Sequence, residues 1–262
     1  MESRVAKMTW DELNDKAKSI GVAIIPAGSI ERHGKHLPME TDAATAFDVA
    51  CRVGERTGAA VFPSLNYGII EHPAFQGVFL SDSTYSSLVR EVCIGVESLG
   101  FKKILFISGH GPNNPCIFKV LKELFEERPR ERLFCMAHCM TLVNQLMPDF
   151  VVGRHTGHGD FRETSIMLAI DEKHVYQEKA SGPEKIAKTF AGVLESVGVH
   201  LIGLDEGRIS LCHNIHELEI DGGYGQVKGA SKEQGEKVLT VLADFLSRVV
   251  EELHKIILPL DH

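Results

Sequence analysis

The stretch GVAIIPAGSIERHGKHLPMETD, residues 21–42, joins a short apolar run to a loop rich in acidic and histidine side chains. The apolar part, residues 21–28, has the length and composition of a strand that is buried on both faces. Three further runs have the same character, and they are GAAVFPSL (58–65), KKILFISG (102–109) and RLFCMAH (132–138). Buried strands of this kind are typical of a parallel sheet inside an α/β domain.

Amphipathic stretches alternate with these apolar runs and have the spacing of helices. We expect helices over residues 42–57, 81–99, 113–128 and 231–257. Asp42 is a candidate cap for the first helix, and Ser83 or another hydroxyl for the second. The alternation predicts a mostly parallel sheet with helices on both sides. No repeat or linker is apparent, so we expect one domain over residues 1–262.

Composition excludes several classes of protein. The chain has 262 residues and a formal net charge of −8, which argues against nucleic-acid binding because such proteins usually carry a basic face. No run of about 18 apolar residues predicts a membrane span. The first twenty residues mix charges and lack the apolar centre of a signal peptide. The six cysteines lie mostly in apolar runs, as reduced thiols do, so we expect a cytoplasmic protein.

Two of the predicted strands run into loops that carry candidate metal ligands. Glu31 and His33 are two residues apart and project from the same side of an extended segment, and Asp42 follows where a helix begins. His110 leaves the third strand between two glycines. Ligands bind at the carboxyl ends of parallel strands, so the two loops are expected to meet. Two carboxylates and two histidines suit Zn²⁺ or a similar ion, and a bridging Asp42 suits two metals about 3.5–4 Å apart.

Spacing leaves structural alternatives open. A loop with these residues is often only a solvated turn. His36 lies in the same loop, and we expect it to fix the loop or support a ligand rather than bind metal. Glu163 lies at the start of a predicted helix in RHTGHGDFRETSIMLAI (154–170). It either complements the helix dipole or acts as a ligand or general base.

Two other clusters are given structural roles. Cys135, His138 and Cys139 lie on one apolar strand, where side chains alternate between faces and do not converge easily. His213 and His216 are three residues apart and have no third ligand nearby in the sequence.

Together these segments resemble the creatininase (creatinine amidohydrolase) family. The family pattern PxGSxEQHGxHLPxxTD appears as PAGSIERHGKHLPMETD (26–42), and YGxSxEHxxFPGT appears as YGIIEHPAFQGVF (67–79). NGHGGN appears as SGHGPNN (108–114), and HAGExETS appears in altered form as HGDFRETS (158–165). The order holds over about residues 20–230, so the chain is identified as a divergent member rather than creatininase itself.

The resemblance implies a three-layer α/β/α sandwich and two divalent metal ions per chain, Zn²⁺ with Mn²⁺ or Fe²⁺ as the second. It also implies a homo-oligomer, often a hexamer. The family's metal ligands correspond to Glu31, His33, Asp42 and His110, with Asp42 bridging. Creatininase has a further ligand, a glutamate, two residues after the metal histidine. Pro112 stands there in this chain, and Glu163 is the obvious substitute.

The family's active-site histidine has two possible counterparts. His158 precedes Glu163 by five residues, which is the family spacing. His155 also matches if three residues are inserted. We favour His158 as a catalytic residue, with Glu163 as ligand or guide for the attacking water.

The substrate pocket is expected to differ from that of creatininase. In creatininase, tryptophans from the middle of the chain enclose the substrate. The single tryptophan here is Trp10, so creatinine is a poor candidate substrate. Arg162 suits an anionic or hydroxyl-rich substrate, or else forms a salt bridge to Asp160. The residues expected to contact substrate are Arg162, Glu71, His72 and His36.

The expected function is hydrolysis of a small molecule, with cleavage of a non-peptide or cyclic C–N amide bond by a hydroxide held between the metals. Family members divide among cyclic-amide hydrolysis, formamide hydrolysis, peptide trimming and ring opening of an inositol-derived ketone. Ring opening of a cyclic ketone is therefore the alternative. A non-catalytic metal-binding protein on the same fold is the second alternative. Neither nucleic acid nor membrane is expected as a partner.

Overall fold

A computed structural model describes residues 2–69, 76–127, 130–152, 156–181, 188–189, 194–198, 201–204, 207–210, 223 and 225–259. The strands are β1 (Val22–Ala27), β2 (Ile30–Glu31), β3 (Ala60–Val61), β4 (Gly68–Ile69), β5 (Gly77–Leu80), β6 (Lys103–Ser108), β7 (Leu133–His138), β8 (Lys188–Thr189), β9 (Leu194–Gly198), β10 (Leu201–Leu204) and β11 (Gly207–Ser210). The helices are α1 (Trp10–Ser19), α2 (Thr41–Thr57), α3 (Asp82–Ser98), α4 (Asn114–Glu127), α5 (Cys139–Leu146), α6 (Pro148–Val151), α7 (Phe161–Asp171) and α8 (Lys232–Lys255).

The central sheet is parallel throughout and has the order β3-β1-β6-β7. Its register aligns the ends of three strands, because Ala27 pairs with Ser108 and Ser108 pairs with His138. The loops after β1 and β6 therefore leave the same edge of the sheet side by side, as the sequence predicted.

Helices cover both faces of this sheet. Val22 and Ile24 of β1 point into a core that includes residues of α2, α5, α7 and α8. Ala23 and Ile25 point the other way, into a core formed with α1, α3 and α4. This alternation is the period of a strand buried on both faces. The predicted α/β fold with a mostly parallel sheet is confirmed.

Two smaller sheets were not predicted. One has the order β2-β5-β4, in which β2 and β5 are antiparallel and β4 and β5 are parallel. The other is an antiparallel sheet of β8 to β11. The short β2 matters most, because it holds Glu31 in an extended segment beside the end of β1.

The expected caps were partly wrong. The side chain of Asp42, in the first turn of α2, contacts histidines and does not cap the helix. The hydroxyl that caps α3 is that of Ser81, one of the alternatives to Ser83 that the sequence left open, and it accepts a hydrogen bond from the Thr84 N–H at 3.3 Å. Within the described ranges, no helix combines the length and apolar character that a bilayer crossing requires.

Candidate metal centre

Two glycines let the strand-end loops press against the first turn of α2. A Cβ atom on Gly28 would lie 2.4 Å from the Cα of Ala43, and one on Gly109 would lie 2.1 Å from the carbonyl oxygen of Asp42. The Gly109 N–H also donates to the Ala27 carbonyl at 2.8 Å. Only glycine permits such close approach of backbones. The helix turn that carries Asp42 is thus held between the ends of β1 and β6.

Four predicted ligands converge at this point. His33 Nε2 lies 3.1 Å from Asp42 Oδ1, and His110 Nδ1 lies 2.7 Å from Asp42 Oδ2. His110 Nδ1 is also 3.1 Å from Glu31 Oε2. All four residues are buried. The loops after β1 and β6 therefore meet as expected, with Asp42 between the two histidines.

Proton and charge are shared within this cluster. Burial disfavours the charged forms, but the Asp42 carboxylate outweighs it and raises the pKa of His33 to about 10. The hydrogen bond from His110 lowers the pKa of Glu31 against the effect of burial. The charges of His33 and His110 likewise hold the pKa of Asp42 well below its usual value. The neighbouring histidines thus stabilise the charged forms of the Glu31 and Asp42 carboxylates.

The two histidines offer different ring nitrogens to the cluster. His33 Nδ1 donates to the Glu31 carbonyl at 3.0 Å, which leaves Nε2 facing Asp42. His110 Nε2 donates to the Ile69 carbonyl at 2.8 Å, which leaves Nδ1 facing Asp42 and Glu31. With an ion bound, these backbone acceptors would keep the remaining proton on His33 Nδ1 and on His110 Nε2. Such an outer hydrogen bond is the usual partner of a metal-binding histidine.

Helix α7 brings a third carboxylate to the cluster. Asp160 caps this helix by accepting hydrogen bonds from the N–H groups of Arg162 at 2.8 Å and Glu163 at 3.3 Å. Glu163 lies in the first turn, buried, and accepts a hydrogen bond from the Gly159 N–H at 2.7 Å. Burial raises the pKa of Glu163 to about 7. A buried carboxylate of this kind is stabilised by a nearby cation.

The donor atoms fall into three groups, each with atoms within 4.8 Å of one another. These groups are Glu31–Asp42–His110, His33–Asp42–Glu163 and Glu31–His33–His158. Nitrogen and carboxylate donors are the ligands that Zn²⁺ and Mn²⁺ accept. Asp42 belongs to two of the groups through its two oxygens. The residues present therefore fit divalent metal binding.

Of the two candidate active-site histidines, His158 is described and lies against the cluster. Its ring stacks on that of His33 with centroids 4.0 Å apart, and its Nε2 donates to the Arg32 carbonyl at 2.7 Å. Burial lowers the pKa of His158 to about 4, so the ring is neutral at pH 7. His155 lies outside the described residues.

The guanidinium of Arg162 is directed into the protein. Its Nε and Nη2 donate to Asp160 Oδ2 at 2.7 and 2.6 Å, and its Nη1 donates to Asn144 Oδ1 at 2.8 Å. This is the salt bridge that the sequence left open as the alternative to a substrate contact. Arg162 fixes the turn before α7, and we no longer expect it to bind substrate.

The other predicted substrate contacts have different outcomes. His36 is buried, and its Nε2 lies 3.0 Å from the Thr164 hydroxyl, so it ties the first loop to α7. Glu71 and His72 lie outside the described residues. Trp10 is on the surface, 64% exposed, at the start of α1.

Sequence reasoning missed three polar side chains around the site. The buried Ser29 hydroxyl donates to Asp42 Oδ2 at 2.8 Å. Asn113 and Thr164 also hydrogen-bond to the segments that carry candidate ligands. All three lie inside the quoted family patterns, next to more conspicuous charged residues, and that position was the available signal.

The alternative clusters do not form metal groups among the described residues. Cys139 is buried in the core, and burial raises the pKa of its thiol to about 12. His138 Nδ1 lies 2.9 Å from the Thr141 hydroxyl. His213 and His216 lie outside the described residues.

The fold and this cluster together are those of a metal-dependent hydrolase. A family model described as creatinine amidohydrolase matches residues 6–250. The chain therefore belongs to the creatininase family, as the four sequence patterns predicted.

Two relatives indicate how far the chain has diverged. It is 27% identical to the creatinine amidohydrolase of Pseudomonas putida over 184 residues, which cover 63% of this chain and 71% of that protein. It is 24% identical to the 3-dehydro-scyllo-inosose hydrolase of Thermotoga maritima over 276 residues, which cover 94% and 82% of the two chains. The similarity is thus low but extends over most of the molecule.

Solved creatininases share the fold. A mutant creatininase complexed with creatine, a mutant of the Zn–Zn type and a Mn creatininase superimpose with TM-scores of 0.79, 0.77 and 0.76. Each is 22% identical to this chain, and each match covers 98% of this chain and 100% of the other.

Proposed function

We propose that this chain is a dinuclear metal hydrolase that cleaves a non-peptide or cyclic C–N amide bond in a small molecule. The observation that carries this proposal is Asp42, whose two oxygens face two different groups of buried ligand atoms. A carboxylate in this position is the usual bridge between two metal ions.

In this proposal Glu31, Asp42 and His110 hold one ion, and His33, Asp42 and Glu163 hold the other. Glu163 replaces the ligand that Pro112 does not supply. Zinc and manganese forms of solved creatininases support Zn²⁺ and Mn²⁺ as the ions, and Fe²⁺ as the second ion rests on the family resemblance alone.

When bound, the ions polarise the substrate carbonyl and lower the pKa of water from about 15.7 toward 7. Glu163 would complete the coordination as a carboxylate and would guide the attacking water from that position. His158 is neutral, and its Nε2 proton is held by the Arg32 carbonyl, so Nδ1 is the atom that would take up the proton released by the attacking water. From there the proton passes to the leaving nitrogen as the C–N bond breaks. This transfer typically contributes 10²–10⁴-fold.

A second candidate reaction is the hydrolytic opening of a cyclic ketone. The relative named 3-dehydro-scyllo-inosose hydrolase matches 94% of this chain, more than the creatinine amidohydrolase does. The same site polarises a ketone carbonyl as readily as an amide. A non-catalytic metal-binding protein is the remaining alternative.

The domain organisation, oligomeric state and cellular location of the enzyme are also proposals. We propose one domain over residues 1–262, a homo-oligomer (a hexamer, as the family resemblance implies) and a cytoplasmic location. The five cysteines of the described residues are free thiols, which supports a reducing compartment. Sedimentation velocity of the untagged protein tests the oligomer.

The test of the dinuclear site is metal content by plasma mass spectrometry, on untagged protein purified without chelator. We expect about two divalent ions per chain in the wild type and about one in Glu163→Ala. Asp244→Ala, which removes an exposed carboxylate from α8, serves as the control and keeps both ions. Less than about half an ion in the wild type, not restored by Zn²⁺ or Mn²⁺, would contradict both the dinuclear hydrolase and the metal-binding alternative. Amides, formamides and cyclic ketones are then compared as substrates.

A further inference from the structure

The side chain of Asn113 lies in the interior beside the metal centre, three residues after His110. It is completely buried at the end of a short 3₁₀ turn, Gly111–Asn113. Its Nδ2 donates to the Gly28 carbonyl at 3.0 Å, and its Oδ1 accepts from the Ile69 N–H at 3.0 Å. One amide therefore joins three segments that are distant in sequence.

Each partner of this amide supports a candidate ligand. Gly28 precedes Ser29, which bonds to Asp42, and lies three residues before Glu31. The Ile69 carbonyl, on the other side of the Ile69 Cα from the N–H that Asn113 binds, accepts a hydrogen bond from the Nε2–H of His110 at 2.8 Å. Asn113 thus holds the backbone that positions Glu31 and the peptide unit next to the acceptor of His110.

The surroundings leave the amide no freedom to turn over. A Cβ atom on Gly68 would lie 2.6 Å from Asn113 Oδ1 and 2.9 Å from the Gly28 carbonyl oxygen. A flipped amide would set two donors against each other at Ile69 and two acceptors against each other at Gly28. Only one orientation satisfies both backbone groups.

We propose that Asn113 is a positioning residue for the metal centre. It fixes the Ile69 N–H, the carbonyl of the same residue accepts from the Nε2–H of His110, and Nδ1 of His110 is thereby left for the ion. The inference rests on the proposed function. It adds that the ring nitrogen of His110 is chosen by a side chain that touches neither metal nor substrate.

The test compares Asn113→Leu with Asn114→Leu, a matched change at the adjacent, half-buried asparagine. Zn²⁺ affinity is measured by competition with a chromophoric chelator, and the coordination geometry is read from the absorption bands of the Co²⁺-loaded protein. We expect Asn113→Leu to weaken Zn²⁺ binding by about 10–100-fold and to change the Co²⁺ bands. Asn114→Leu should leave both as in the wild type.

Urea unfolding of the metal-free proteins separates positioning from folding. A variant that unfolds more easily but binds Zn²⁺ with wild-type affinity would make Asn113 a structural residue and overturn the inference. Gly68→Ala supplies a second route, since it crowds the amide without changing it, and should also weaken Zn²⁺ binding. Failure of both variants to fold without metal would equally overturn the inference.

The outcome for the wild type distinguishes the two levels of proposal. A wild-type protein that binds no Zn²⁺, Mn²⁺ or Co²⁺ contradicts the proposed function itself. A wild-type protein that binds metal tightly, together with an Asn113→Leu variant that binds it equally well, contradicts only the role of Asn113.

Discussion

At the scale of single residues, Asp42 connects the two halves of the site. Its Oδ1 faces His33 and its Oδ2 faces His110, while the Ser29 hydroxyl donates to Oδ2. The carboxylate is buried, so each of these contacts is made in a medium that strengthens electrostatic interaction. Removing its charge therefore affects both ligand groups at once.

Asp42→Asn is expected to lose both metal ions, because Asn lacks the second anionic oxygen and the charge that both groups share. Plasma mass spectrometry should find less than about half an ion per chain and no hydrolysis. Asp48→Asn, on the same helix but paired with Arg52, is the control. One tightly held ion in Asp42→Asn would show that Asp42 is not a bridge.

His158→Gln is expected to lower kcat by about 10²–10⁴-fold while metal content stays near that of the wild type, because the proposed mechanism assigns proton transfer to this ring. His174→Gln changes an exposed histidine paired with Asp171 and should leave kcat unchanged. Loss of an ion in His158→Gln would instead make His158 a ligand, as its place in the group with Glu31 and His33 would permit.

At the scale of secondary structure elements, the start of α7 determines where Glu163 lies. Asp160 accepts hydrogen bonds from two N–H groups of the first turn and from the guanidinium of Arg162. Both of these side chains are buried. A cap and a buried ion pair thus share one carboxylate, and the position of Glu163 depends on both.

Asp160→Ala is expected to reduce the free energy of unfolding by about 3–5 kcal/mol, because it leaves the buried Arg162 charge without its carboxylate. Asp244→Ala breaks an exposed pair with Arg56 and should cost no more than about 1 kcal/mol. Urea unfolding of the two metal-free variants measures the difference. Equal effects would mean that Arg162 finds another partner.

The carboxyl end of β7 carries a histidine that is neutral in the folded protein. Burial lowers the pKa of His138 to about 4, and the charged groups that face it are Asp42, His110 and Arg162. The ring is held by the Thr141 hydroxyl. Between pH 6.5 and 4, the unfolded chain binds a proton at this ring and the folded chain does not.

The neutral His138 ring contributes a free energy of folding that is fully present above pH 6.5. This contribution is lost as the pH falls toward 4. We expect the metal-free wild type to lose about 1–2 kcal/mol more than His138→Gln between pH 7 and pH 4.5. Urea unfolding at several pH values gives both curves, and His174→Gln should follow the wild type. Parallel curves for wild type and His138→Gln would contradict the neutral state of this half-buried ring.

At the scale of the whole molecule, α8 closes one face of the sheet by packing on α2 and α7. Its buried side chains include Val238, Leu239 and Leu242. The approach to α7 is close at Gly235, where a Cβ atom would lie 1.9 Å from the Ser165 carbonyl oxygen. The position of α7, and with it the third carboxylate of the site, depends on this contact.

Gly235→Ala is expected to destabilise the protein by about 1–3 kcal/mol, because the added methyl group forces α8 away from α7. Gly95→Ala, in α3, is the matched control, since its Cβ meets nothing within 4 Å. That change should stabilise by about 0.5–1 kcal/mol through helix propensity. Thermal unfolding of both variants measures these changes in stability. Stabilisation by Gly235→Ala would show that α7 and α8 are not in close contact.

The sequence predicted those features that repeat along the chain. The helix expected over 113–128 is α4, Asn114–Glu127, and the strand expected over 102–109 is β6, Lys103–Ser108. The two-residue strands β2 and β4 are too short to show a period. The run GAAVFPSL forms a strand only at Ala60–Val61, on the edge of the sheet, because the pairing with β1 shifts after Phe62 and the N–H of Leu65, rather than that of Ser64, donates to the Pro26 carbonyl.

The candidate site was also predicted only in part. The meeting of Glu31, His33, Asp42 and His110 could be predicted because carboxylates and histidines in the loops after strands are conspicuous in a sequence. Hydrogen bonds over long sequence separations, such as His36 to Thr164 or Asn113 to Gly28, leave no local pattern. The orientation of Arg162 was undecided for a similar reason, because its partner Asn144 lies on another helix.

Two glycines that pack against the first turn of α2 limit which substitutions this enzyme can accept. Gly28 and Gly109 leave no space for any side chain, so these positions are closed to substitution whatever the substrate. Laboratory evolution toward new substrates should leave both glycines fixed and vary residues elsewhere around the site. In such a library the positions of the candidate metal ligands stay the same, while the residues that select the substrate vary.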